Sequence, residues 1–136
     1  MIDFAALKAE LDTDPSARGY AGTQDAEAAA LLNEVQGGLT INRTTASTQE
    51  IREAVEVIDW TSRTDAQRAA MMFLTAGEAL NPNHANVVAD FQAIFVATGT
   101  LTNLAALQTR DGSRAEELWG DGALVKHQDV AIARAI

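Results

Sequence analysis

Apolar residues recur along this chain at helical spacing, in short stripes separated by polar or glycine-containing breaks. Phe4, Leu7 and Leu11 follow Asp3, whose carboxylate can accept hydrogen bonds from the first amides of a helix, and Asp14-Pro15 ends that pattern. Ala28, Leu31, Leu32 and Val35 form a second stripe after a Thr23 cap, stopped by Gly37-Gly38. Between the two stripes, Asp12 to Gly22 is dense in turn formers and predicts an ordered helix-to-helix corner. Ser47-Thr48-Gln49-Glu50 has capping-box spacing and predicts a helix with Ile51, Ala54, Val55 and Ile58 inward, Glu53, Glu56 and Asp59 outside the stripe, and Trp60 at its close.

Thr64-Asp65 starts the next helix, whose Ala66, Ala69, Ala70, Phe73 and Ala76 make a narrow small-residue face, expected in close helix–helix contact. Asn81-Pro82 opens a central helix in which Val87, Val88, Phe91, Ile94 and Phe95 form the densest bulky stripe and the expected principal core. A shorter helix follows Gly99-Thr100 through Leu101, Leu104, Ala105 and Leu107. Ser113-Arg114-Ala115-Glu116 is a second capping box, ahead of Leu118-Trp119 and a stop at Gly120, and Gln128 to Arg134 forms the last helix. Leu39 to Ala46 alternates and is rich in Thr, which suits extended chain, and Leu124-Val125-Lys126 is the segment suited to pair with Leu39–Arg43. The pattern predicts an all-α fold, one compact domain over residues 1–136 with about six to eight short helices and room for that minimal two-strand ribbon.

Composition sharpens this picture. Hydrophobic residues are 47% of the chain but aromatics only 5%, so the expected core is built from small side chains on closely approaching helices. There is no cysteine, which excludes disulfides, thiolate catalysis and Cys-based metal sites. The first residues include an acid and no basic region ahead of an apolar stretch, and every apolar run falls far short of the roughly 20 residues that cross a bilayer. The expectation is a soluble, intracellularly made protein. A formal charge of -9 repels phosphate backbones and anionic membranes. That charge is uneven: residues 1–60 carry 11 acids and 4 bases, whereas residues 61–136 carry 8 and 6.

Candidate chemistry is sparse. His84 and His127 are far apart in sequence and lack the further ligands a zinc site needs. Asp12-Thr13-Asp14 is followed by Pro15 and lacks the glycine and glutamate positions of a calcium loop. Glu116 and Glu117 are consecutive, so on a helix they point about 100° apart and read as first-turn acids. Neither a Gly-x-Ser-x-Gly elbow nor a phosphate-cradling loop occurs. No catalytic, cofactor-binding or metal-ligating residue is expected, and the protein is read as a non-enzyme. The candidates that remain are structural or contact residues: Asp12, Asp14, Arg18 and Tyr20 at the corner, and Asp121 in the turn after the second capping box. Arg18 lies between acids and Tyr20 offers an apolar ring with one hydroxyl to satisfy, so both are expected to organise the corner.

Leu7-Lys8 with Glu10-Leu11, Asp14-Pro15-x-x-Arg18-Gly19-Tyr20-Ala21, Leu32-Asn33, Leu101-Thr102-Asn103-Leu104-Ala105-Ala106-Leu107 and Ser113-Arg114-Ala115-Glu116-Glu117-Leu118 occur in this order over most of the chain. In these segments the chain resembles a group of small proteins of tailed bacteriophages and prophages, while Trp119-Gly120-Asp121-Gly122 departs from the Gly/Leu-rich run of that group. The resemblance implies a virion-associated structural protein without cofactor, made in the host cytoplasm and located in the virion. A neck or head–tail connector subunit fits best. The alternatives are a capsid accessory protein and a soluble phage-encoded binding or regulatory protein. The implied partners are other virion proteins and further copies of the chain in a ring or lattice, with no membrane and no sequence-specific nucleic acid.

Overall fold

Short polar side chains supply acceptors for the orphan amides at helix starts, largely where the sequence places them. Asp3 accepts from Ala5 and Ala6, and Ser47, Thr64 and Ser113 each accept the amide three residues on while Glu50, Gln67 and Glu116 reach back. In the computed structural model, which describes residues 1–136, the chain forms nine helices and four short strands. In order these are α1 (Phe4–Thr13), α2 (Asp25–Asn33), β1 (Gln36–Asn42), β2 (Ala46–Ser47), α3 (Thr48–Ala54), α4 (Val57–Ser62), α5 (Asp65–Leu74), β3 (Ala79–Leu80), α6 (Ala85–Ile94), α7 (Thr98–Ala106), β4 (Thr109–Gly112), α8 (Arg114–Trp119) and α9 (His127–Ala135). The fold is mostly helical but not purely all-α, because β1 pairs with β4 and β2 pairs antiparallel with β3.

The chain divides into two compact units. Unit 1 comprises residues 1–41 and 111–136, and unit 2 is the intervening stretch 42–110. Buried apolar residues follow the same division. In unit 1, Leu7, Leu11, Tyr20, Leu32, Ala115, Val125, Val130 and Ala133 cluster, with Trp119 packed against them. In unit 2, Phe91, Ile94 and Phe95 are buried as expected, together with Ala46, Ile51, Met71 and Leu104. The central-helix stripe is therefore the core of one unit, and the other unit has a core of its own. Gly112 in β4 lies so close to Ile41 that a β carbon there would sit 2.6 Å from Ile41 Cγ2.

Five local expectations are corrected. Leu124–Lys126 does not form the ribbon. The Asn33 side chain donates to Val125 O at 2.7 Å and accepts from Val125 N at 2.9 Å, offering one residue the pair of bonds a neighbouring strand would give. With α2 ended at Asn33, Val35 is exposed rather than on the buried stripe. The third predicted helix is two helices. Val55 is extended, Asn103 Nδ2 donates to Ala54 O at 3.1 Å, and Glu56 N donates to Thr100 Oγ1 at 3.1 Å, so α7 satisfies the broken ends. After the break the face rotates, leaving Ile58 exposed and Asp59 buried. The α5 face is inverted: Met71 and Thr75 are buried, while Ala66, Ala69, Ala70 and Phe73 face solvent. Finally, α6 is capped by His84, not Asn81, whose side chain instead accepts from Asn83 N.

Candidate functional site

The corner of unit 1 begins where Asp14 leaves α1 in the left-handed conformation, φ 42, followed by Ala17 at φ 53 and Gly19 at φ 87. Such a run closes a tight turn whose amides point inward, and the Asp14 carboxylate accepts from Arg18 N and Gly19 N, both at 2.7 Å. Desolvation acts against the charged carboxylate, but the amides of Gly19, Arg18 and Tyr20 and the Arg18 charge prevail and hold Asp14 below its ordinary range.

The turn delivers Tyr20 into the unit 1 core, where its hydroxyl donates to Glu10 Oε1 at 3.2 Å. Glu10 is 4% exposed and is held by a bidentate pair from Arg114, Nε to Oε1 at 2.9 Å and Nη2 to Oε2 at 2.8 Å. Arg114 also donates to Glu117 one turn further along α8. Burial first, then the Glu10 carboxylate, pushes the Tyr20 phenol up, so it stays a protonated donor; the bonds to Glu10 push the Arg114 guanidinium up. Arg18 Nη1 donates to Leu31 O at 3.1 Å, and Arg134 of α9 donates to Thr23 O and Tyr20 O. Three arginines thus tie the corner to α2, α8 and α9.

The expected residues separate accordingly. Asp14, Arg18 and Tyr20 meet at the corner. Asp12 is exposed and pairs along its own helix with Lys8 at 3.3 Å, and Asp121 is half-buried and partnered in the turn after α8. Glu10 and Arg114, at the centre of the network, are not among the site residues the sequence points to. Their signal was present: Glu10 shares the helical face of Leu7 and Leu11, where a charge demands a partner. No group of three His, Cys, Asp or Glu side chains is placed to hold a metal ion, and His84 Nδ1 is occupied as acceptor for Asn86 N.

Unit 2 carries a different surface. Val57 and Ile58 of α4 are 78% and 75% exposed, and Met72 and Phe73 of α5 are 64% and 82% exposed. Between α3, α4 and α5 runs a groove of about 440 Å³ lined by Val55, Val57, Trp60, Met71 and Met72, with Arg52 and Thr75 as its polar members. Arg52 Nη2 donates to Thr75 O at 3.3 Å, fixing the guanidinium at the C-terminal end of α5. Large exposed apolar side chains on neighbouring helices, beside a groove whose lining includes Arg52, suit protein contact, since covering them removes apolar area from water. Comparison with protein-family models, with curated proteins and with solved structures finds no match to this chain in any of the three.

Proposed function

We propose that the protein is a non-enzymatic structural component of a tailed-phage virion, a neck or head–tail connector subunit that works through protein–protein contacts. The observation that carries the contact reading is the exposed apolar surface of unit 2, where Val57, Ile58, Met72 and Phe73 leave uncovered an area that association would bury. The phage placement is supported by the resemblance, whose Arg-Gly-Tyr-Ala and Ser-Arg-Ala-Glu segments are joined by the Glu10–Tyr20–Arg114 network. Those segments thereby have a structural task that needs no chemistry on a substrate.

Quantitative mass spectrometry of purified particles tests this reading. Stoichiometric incorporation in multiples of six is expected for a neck ring. A copy number on the order of hundreds would place the protein in the shell instead. Absence from intact particles would refute the virion assignment and favour a soluble binding or regulatory protein.

A further inference from the structure

The outer face of α5 has the spacing of a buried helix surface and is not covered by its own chain. We infer that it binds the same face of a second copy, α5 against α5, antiparallel about a two-fold axis between Ala69 and Ala70. This pairing rests on the same surface that carries the proposed function, but it requires no particle.

Three properties of the face are complementary to themselves under that operation. The first is size. Ala69 and Ala70 at the centre allow close approach of the two backbones, and the axis sets Phe73 of each copy over Ala66 of the other. The second is charge. Asp65 and Met72 are seven residues apart and share one edge of the helix. The groove along that edge also holds Arg52, anchored at the opposite end of α5. The axis keeps this edge aligned with its counterpart, so each Asp65, whose side chain is fully exposed and whose Oδ1 alone is paired, with Arg68 of its own helix at 2.9 Å, comes to the other copy's Arg52. Whole-unit charge agrees: unit 2 has 7 acids and 5 bases against 12 and 5 in unit 1, making contact between two unit 2 surfaces the least self-repelling. The third is area. Covering Phe73, Met72, Val57 and the alanines on both copies removes on the order of 1,000 Å², the lower limit for a specific interface.

Sedimentation equilibrium of the full chain, at concentrations up to roughly 100 μM, is expected to show monomer and dimer in exchange, since interfaces of modest size reach micromolar dissociation constants. Phe73→Glu is expected to weaken the dimer about 30-fold or more. At concentrations where the unaltered chain is monomeric its melting midpoint should change little, because the ring is 82% exposed in the single chain. Asp65→Arg and Arg52→Asp are each expected to weaken association and, combined, to restore it. In this cysteine-free chain, Ala69→Cys should cross-link two copies on addition of an oxidant, and Ala26→Cys on the exposed side of α2 should not.

A chain monomeric throughout and not cross-linked overturns the pairing, as does a dimer indifferent to Phe73→Glu. A monomer whose incorporation into particles still depends on Phe73 overturns the pairing and leaves the contact reading standing. A dimer that obeys the variants and is absent from particles supports the pairing and sinks the virion reading.

Discussion

Removing a carboxylate from water is costly unless it is paired and hydrogen-bonded, and Glu10 is held in that way by Arg114 and Tyr20. Arg114→Ala would leave the charge buried and unpaired. The expected loss is about 3–5 kcal/mol, read from urea unfolding. Glu10→Leu combined with Arg114→Met is expected to recover most of it, because apolar residues of similar volume can replace a buried pair. Glu50 provides a pH-dependent counterpart. The bonds from Arg43, then the Ser47 amide, hold its carboxyl down to about 2 from an ordinary 4.5. A depressed pKa stabilises the fold above the unfolded value and is lost as pH falls through the folded one. Stability should therefore decline between about pH 4.5 and 2, with a small amplitude because Glu50 is 39% exposed. Glu50→Gln should flatten that part of a pH titration of the urea midpoint.

At the scale of elements, the break between α3 and α4 depends on side chains that are distant in sequence. Thr100 is fully buried and its hydroxyl accepts the Glu56 amide, so Thr100→Val should cost about 1–3 kcal/mol and raise amide exchange at Glu56 first. This dependence explains what could and could not be read from the sequence. Capping boxes are local, and the starts at Ser47, Thr64 and Ser113 were legible from four residues each. The α3 break was not, since Thr100 and Asn103 lie more than forty residues away. The Val125 segment is illegible for the same reason, its strand-like partner being the side chain of Asn33, 92 residues away. In α5, periodicity marks an apolar arc through Ala66, Ala69, Ala70 and Phe73, but spacing alone does not say whether the chain's own core or another surface covers it. At the corner, Arg18 and Tyr20 were legible by type, whereas Glu10 and Arg114 become prominent only once α1 and α8 are brought together.

For the whole molecule, symmetry separates the two surfaces. An isologous contact through α5 closes after two copies, so a ring or lattice needs a second, head-to-tail contact, for which the loops of unit 1 at Asp12–Gly22 and Gly120–Lys126 are available. The division at Ile41 and Asp111 also has a consequence in time. On the ribosome, α1 and α2 emerge early but lack Ala115, Val125, Val130 and Ala133, which complete their core. Those residues are separated from them by the whole of residues 42–110, a delay of roughly 3–14 s at ordinary rates of synthesis. The inserted stretch, whose core residues all lie within it, should fold while the first two helices still wait. Nascent chains arrested with residues up to 110 outside the exit tunnel should protect residues 42–110 from protease and leave residues 1–41 open to cleavage. Simultaneous protection of both segments at that length would show that the early helices find shelter before their own partners exist.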